Sequence, residues 1–378
     1  MLNLNDGTLI TTSELSFTVV SINLFNFIEP PHAFYDFENI YSDKQWQKKC
    51  AWLSDFINQS QPDIIGFQEV FSPDALAKLT QSLGYEYFVA LDEPEVISDY
   101  VYRSPVVAIA SKYPIVDSVN VSPDPQWITQ LGLADTFAFS RKPLRATIRL
   151  PVFGPCDCYV IHLKSKRSGV SRDDMSESGL QGGPDFVARQ VLGRWASSLQ
   201  RGSESALLCH QMLMRRQQSQ QPLMLMGDFN DTLGSELLAA FNHQLRVFRS
   251  DIEDPQLAKL GETSLMAELH QSSLYDSYEL FIAATKCNAT LAQDEFESAS
   301  LLDDEPHAVR QATHYYGNTG SVLDYILVSS EFNPAQQQNL AHIIDYQTFD
   351  RHLVRPDYER DSDSTDHAPV MIRFAVRT

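Results

Sequence analysis

The stretch Pro222-Leu-Met-Leu-Met-Gly-Asp-Phe-Asn-Asp231 sets the reading of the whole chain. Leu223 to Met226 is a short, wholly apolar run opened by a proline, the pattern of a strand buried on both faces. It stops at Gly227, and Asp228 and Asn230 follow two residues apart. If the backbone stays extended, both side chains point the same way while Phe229 turns back into protein. A carboxylate and an amide then stand together at the end of a core strand. The same letters also make an ordinary Asx-type turn, so the stretch needs support from elsewhere.

That support comes from other strand ends. Phe17 to Leu24 is β-branched and apolar and carries Asn23 near its end. Pro62-Asp-Ile-Ile-Gly-Phe-Gln-Glu69 repeats the pattern of an apolar strand finished by a carboxylate. Between them, Trp46, Cys50, Leu53 and Ile57 recur at helical spacing over 42–59, with Ser42 as N-cap. A second helix starts at Ser72-Pro73 and runs to about Leu83, and Tyr85 to Leu91 is read as a strand. Val106 to Ser111 and Ile115 to Val121 read as two strands joined by a hairpin-like turn at Lys112-Tyr-Pro114. Pro123 to Phe139 has no regular pattern.

Pro143 to Leu150 and Cys158 to Leu163 form another strand pair, which runs on into His162-Leu-Lys164-Ser-Lys166. Ser168 to Pro184, rich in Ser, Gly and Asp, is expected to be a mobile loop. Helices are expected at 185–199 and 203–216, with further helix at 235–241 and within 264–284. Asp294 to Glu305 holds six acids and no base, the signature of a solvated loop. Strands resume at Val322 to Val328 and Val370 to Val376. Asp324 interrupts the first of these, where a charge is costly unless paired or ligating. Asp366-His367 stands just before the second.

Composition narrows the class. At 378 residues and 43% hydrophobic, the chain buries a large core. No apolar run approaches the ~18 residues of a membrane span, and no basic-then-apolar leader opens the sequence, which points to the cytoplasm. Five scattered cysteines do not read as a disulfide framework, and Cys156 and Cys158 without a second Cys or His pair are weak zinc ligands. Twenty-nine Lys and Arg against 49 Asp and Glu give a formal charge of −20, unlike proteins that grip long polyanions by bulk electrostatics. Locally the balance reverses: residues 141–172 hold eight bases and one acid, a candidate phosphate-facing patch or a plain solvated surface.

Asn23, Glu69, His162, Asp228, Asn230, Asp324, Asp366 and His367 thus lie at or near predicted strand ends along the whole chain. Hard carboxylate and amide oxygens suit Mg²⁺ or Mn²⁺. Histidines beside acids suit proton transfer and oxyanion stabilisation. No phosphate-cradling glycine loop and no nucleophile elbow is present.

The motifs Ser21-Ile-Asn23, Ile65-Gly-Phe-Gln-Glu69, Ile161-His-Leu-Lys-Ser165, Met226-Gly-Asp-Phe-Asn-Asp231, Leu323-Asp-Tyr-Ile-Leu-Val328 and Thr365-Asp-His-Ala-Pro369 resemble, in order, those of the endonuclease/exonuclease/phosphatase superfamily. The resemblance implies a four-layer α/β sandwich, two packed mixed β-sheets flanked by helices, formed by one domain over 1–378 with insertions near 168–184 and 242–311. It implies a divalent-metal-dependent phosphoester hydrolase in which Asn23, Glu69 and Asp366 surround Mg²⁺ or Mn²⁺. Asp228, helped by Asn230, would activate the attacking water. His367, oriented by Asp324, and His162 would contact the phosphate together with Arg141 and Lys164. Ile161-His-Leu-Lys-Ser-Lys166 is most similar to nuclease-like members, so a phosphodiesterase acting on a phosphoester such as nucleic acid is expected. A small phosphoester or phospholipid headgroup is the alternative substrate, and a non-catalytic binding module that kept the fold is the alternative class.

Overall fold

The structure, a computed structural model, describes residues 15–170, 180–241, 250, 252–294, 310–336 and 339–377. Its two large sheets are built from β1 (Ser16–Phe27), β2 (Ile64–Val70), β3 (Tyr87–Val89), β4 (Val106–Ser111), β5 (Ile115–Asn120), β6 (Leu144–Leu150), β7 (Gly154–His162), β8 (Leu223–Asp228), β9 (Tyr275–Asp276), β10 (Asp324–Val328), β11 (Ala341–Thr348) and β12 (Val370–Val376). The first sheet has the order β11-β12-β1-β2-β4-β3 and the second β9-β10-β8-β7-β6-β5.

Each sheet contains one parallel pair, β1 with β2 and β7 with β8, among antiparallel neighbours. A parallel pair needs a crossover. Helix α1 (Asp43–Ser60) lies on the first crossover, and α3 (Gly182–Ser219) on the second; α2 (Pro73–Ser82) follows β2. Ser42 caps α1 with a full capping box, as its sequence predicts.

Alternation along the strands sorts side chains into three apolar layers. Val19, Ile64, Ile109, Val160, Met226, Ile326 and Ile372 pack between the sheets. Val20, Ile22, Ile65 and Phe67 face Leu53, Ile57 and Leu76 of α1 and α2. Tyr159, Ile161, Leu225 and Phe229 face Leu207 and Leu208 of α3. The four-layer α/β sandwich expected from the sequence is the fold observed.

Several local expectations are corrected. Val106–Ser111 and Ile115–Asn120 are not a hairpin, because they belong to different sheets. Lys112 N–H still bonds Asp63 O in the first sheet, while Pro114 O already accepts from Arg149 N–H in the second. The two helices expected at 185–199 and 203–216 are one 38-residue helix. Gly202 does not break it; a Cβ there would stand 3.2 Å from Leu237, so the small residue lets the 3-10 turn Glu236–Phe241 pack close. The segment 123–139 contains the helix Pro125–Gln130, capped by Asp124. Strand β11 and a small sheet of Ala33–Phe34, Glu95–Ser98 and Val101–Arg103 had no expected counterpart. Cys156 and Cys158 are buried in the layer between the sheets, where burial pushes the Cys156 thiol up, and serve as core. The expected loops at 171–179 and 295–305 lie outside the described residues.

Candidate active site

Because the two central pairs run parallel, their carboxyl ends emerge together. Asn23 is in register with Gln68, one residue before Glu69, and His162 with Asp228. Asp324 is opposite Asp228 on β10.

Asp228 is the centre of this arrangement. Its Oδ1 accepts from Asn230 N–H at 2.8 Å; its Oδ2 accepts from Asn230 Nδ2 at 3.0 Å and Asn23 Nδ2 at 3.3 Å. His162 Nε2 is 3.5 Å from the same oxygen and His367 Nε2 3.9 Å. The backbone does not stay extended: Asn230 has φ +53° and turns back to donate to Leu163 O at 3.0 Å. The Asx turn and the polar site are therefore the same object. Phe229 points inward as expected, edge-on to Phe241 and Tyr325. Gly227 is obligatory, with φ +147° and no room for a Cβ, which would fall 2.0 Å from Ile161 O.

The second polar pair is His367 with Asp324, Nδ1 to Oδ2 at 2.8 Å, both buried. Thr313 Oγ1 accepts from the N–H groups of Leu323 and Asp324 and so fixes the start of β10. Thr365 Oγ1 donates to Asn23 O at 2.6 Å and accepts from His367 N–H at 3.1 Å, tying the His367 loop to β1.

The two histidines differ in charge. Burial depresses His367, but the carboxylates of Asp324 and Asp228 outweigh it and hold the imidazole well above its usual range. Burial, then Arg141 and His367, push His162 well below its own, so it is neutral. Burial raises Asp228 to about 7, the range of a general base.

Glu69 lies on the first sheet, with φ +59° and Oε2 accepting from Asn26 N–H at 3.0 Å. Asp366 is raised by burial and by Glu69, with His367 opposing. Among the described residues, ligand atoms of His314, Asp366 and His367 lie within 4.8 Å of one another, and so do those of Asp228, Asp324 and His367. Asn23 Nδ2 is drawn to Asp228, and its Oδ1 accepts from Phe25 N–H at 3.0 Å. The donor set fits a hard divalent cation. Asp228, Asp324 and Asp366 converge on His367, Glu69 is in electrostatic contact with Asp228 and Asp366, and Asp324 Oδ1 has no hydrogen-bond partner. Such an excess of buried anionic groups is costly without a counter-charge.

On the other flank, Arg141 Nη1 reaches Leu163 O at 3.5 Å and its guanidinium hydrogen-bonds Tyr35. Lys164 is lowered by burial and by Arg141 beside it. The wider basic patch does not survive intact. Arg145 is buried against Thr147, Asp157 and Asp117, Lys142 pairs with Asp92, and Lys166 with Asp231. Arg149 is exposed on β6 and Arg172 lies outside the described residues, while Arg141 and Arg167 are in electrostatic contact with Tyr35, and Arg141 with Lys164.

Three neighbours had no expectation attached. Tyr35 has the left-handed φ of +63°, rare for a bulky residue, and is in electrostatic contact with Glu69, Arg141 and Arg167. His314 bridges to His367, ring centroids 4.8 Å apart. Lys49, buried on α1, donates to Ser364 O at 2.8 Å, and burial lowers it to about 8. Only Lys49 left a trace in the sequence, three residues after Trp46 on the buried face of a predicted helix. A cavity of about 220 Å³ lined by Cys209, Met212, Met266 and Leu269 includes none of these residues.

No curated protein sequence matches the chain. Among solved structures, the human Nocturnin catalytic domain, determined with bound sulfate, is similar over 96% of each chain at 16% identity and a TM-score of 0.50, a likeness of fold. A humanized D. rerio TDP2 is similar at 11% identity over 95% of this chain and 98% of that one, TM-score 0.48. ANGEL2, a 2',3'-cyclic phosphatase, is similar at 13% identity over 96% of each, TM-score 0.48. The sequence model of the Endonuclease/Exonuclease/phosphatase family matches residues 39–367, a span that holds Glu69, Arg141, His162, Lys164, Asp228, Asn230, Asp324, Asp366 and His367 but not Asn23. With that match over most of its length, the chain belongs to the Endonuclease/Exonuclease/phosphatase family.

Proposed function

We propose that this protein is a divalent-metal-dependent phosphoester hydrolase, a phosphodiesterase of the nuclease-like branch, working as one domain over 1–378 in the cytoplasm. The observation that carries the reading is the buried Asp228 carboxylate, 3.5 Å from a neutral histidine and 3.9 Å from a charged one. No helix among the described residues is long and apolar enough to cross a membrane. Segments 168–184 and 242–311 are read as insertions in that domain.

Glu69 and Asp366, with Asn23 beside them, would hold Mg²⁺ or Mn²⁺. Bound there, the cation would supply Lewis-acid stabilisation of charge on a phosphoryl oxygen. Asp228, held by the two amides and raised toward neutrality, accepts the proton of the attacking water, and Asn230 fixes that carboxylate in line. His367 donates Nε2–H to the developing oxyanion while Asp324 holds its Nδ1–H. His162 donates to a second oxygen from the opposite sheet, and Arg141 and Lys164 neutralise the remaining charge.

Hydrolysis of bis-p-nitrophenyl phosphate with Mg²⁺ or Mn²⁺ tests this. The diester should turn over, and Asp228→Ala, His367→Ala and chelator should each abolish turnover. Turnover of phosphomonoesters alone would instead favour a phosphatase on small phosphoesters, and cleavage of phospholipid vesicles in preference to oligonucleotides would favour a headgroup substrate. Binding of oligonucleotide with no hydrolysis under any metal would leave a binding module.

A further inference from the structure

Helix α3 sends two charged side chains, one turn apart, into the interior beside the site. Arg201 and Glu204 are 2% and 1% exposed. Glu204 Oε1 accepts from Ser140 N–H at 2.6 Å and from Gln200 Nε2 at 3.1 Å; its Oε2 accepts from Lys164 N–H at 2.8 Å. Arg201 Nη1 donates to Lys164 O at 2.9 Å, and its Nε and Nη2 donate to Asp231 Oδ2 at 3.3 and 3.1 Å. The backbone of Lys164 is therefore held at both its N–H and its C=O by one helix. The same carboxylate holds the N–H of Ser140, the residue before Arg141, and the same guanidinium holds Asp231 in the loop that leaves Asp228.

A buried carboxylate and guanidinium are a poor choice for packing alone, since apolar side chains of similar volume pack as well without the desolvation cost. Leu207 and Leu208 do that on the following turn. What a charged pair adds is direction, because charge-assisted hydrogen bonds are short and geometrically specific, and three of these hold backbone atoms of Ser140 and Lys164. The segments held are all on the second-sheet side. Glu69, Asn23 and Asp366 sit on or beside the first sheet, and the hydrogen bonds of Arg201 and Glu204 go to none of them.

We infer that Glu204 and Arg201 are positioning residues that set the spacing of Arg141 and Lys164, and so tune phosphate binding separately from metal binding. The inference rests on Arg141 and Lys164 contacting the substrate phosphate, as proposed above.

The test uses the full chain and the variants Glu204→Ala and Glu204→Gln. Three quantities are read: KM and kcat for bis-p-nitrophenyl phosphate, the inhibition constant of inorganic phosphate, and Mn²⁺ affinity from the electron paramagnetic resonance of free Mn²⁺. Glu204→Ala should raise KM and the phosphate inhibition constant about tenfold or more, the effect of losing charge-assisted hydrogen bonds. Mn²⁺ affinity should stay within about twofold. Glu204→Gln keeps one acceptor oxygen and should fall between the two; if Glu204→Ala does not fold, Glu204→Gln is judged by the same criteria.

Unchanged phosphate inhibition in a folded variant would overturn the inference, and so would metal and phosphate affinity falling in step. A wild-type protein that hydrolyses no diester and ignores inorganic phosphate would overturn the parent reading, and this inference with it. Wild-type activity with an indifferent Glu204 removes only the latter.

Discussion

Gly227→Ala probes the joint between fold and site. Gly227 pairs with Ile161 across β7 and β8, at φ +147°, and a methyl group would lie 2.0 Å from Ile161 O and 2.9 Å from Ile161 C. Cβ atoms essentially never approach closer than 3.0 Å, so something must retreat by at least ~1 Å. Only backbone is available, and it is held in the ladder that presents His162 and Asp228. Strained backbone costs about 1–3 kcal/mol and forced overpacking about another 1–3 kcal/mol, so roughly 2–6 kcal/mol is expected. Gly84 separates the two contributions, since its φ is +92° but nothing lies within 4 Å of its missing Cβ. Gly84→Ala should therefore cost only the strain, about 1–3 kcal/mol. Urea unfolding of both variants in chelator, where metal linkage is absent, gives the comparison directly. At a temperature where it is folded, Gly227→Ala should also lose roughly a hundredfold in kcat/KM through displacement of Asp228, and Gly84→Ala should lose none. Equal unfolding costs for the two variants would refute the close-approach reasoning.

Other perturbations address separate links. Asp324→Asn preserves shape but removes the charge opposite His367 Nδ1, and kcat/KM on the diester should fall roughly a hundredfold or more; a loss under threefold would contradict the assigned pairing. Tyr35→Phe deletes the hydroxyl bonded to Arg141 and should raise KM up to about tenfold with little change in stability, as steady-state kinetics and melting would show. Burial pushes Asp231 up, but Lys166 and Arg201 outweigh it and hold the carboxyl below its usual value. Its contribution to stability is then present above about pH 4 and lost as pH falls through the folded value. Lys166→Met should accordingly be less stable than wild type near neutrality, with the gap closing on acidification in urea titrations. Saturating Mn²⁺ at about 100 times its Kd should add roughly 2.7 kcal/mol to unfolding; an unchanged transition would argue against a metal site in the native state.

The legible parts of the molecule were those with local pattern. Continuous apolar runs ending in Asn23, Glu69, His162 and Asp228 read as core strands, and the structure places them in the two parallel pairs. Asp324 stood out because a carboxylate inside Leu323-Asp-Tyr-Ile-Leu-Val328 needs a partner, and His367 is that partner. The illegible parts depend on distant segments. Whether Ile115–Asn120 folds back on β4 or crosses to β6 is decided by edge partners, not by Lys112-Tyr-Pro114. Strand β11 hid because a register shift between Ile343 and Asp345 breaks the two-residue alternation. Glu204 and Arg201 drew no expectation, since bonds to Ser140, Lys164 and Asp231 leave no mark at helical spacing.

The antiparallel pairing of Ser16 with Ala375 and Ser21 with Val370 has a consequence during translation. Strand β1 leaves the ribosome long before β12, its antiparallel partner, and pairings of such sequence separation form slowly. Until then β1 offers an unsatisfied edge, a surface that invites aggregation or a chaperone. Asn23 likewise gains the Thr365 contact only at that final stage, so a nascent or prematurely terminated chain lacking residues beyond 364 is expected to be inert.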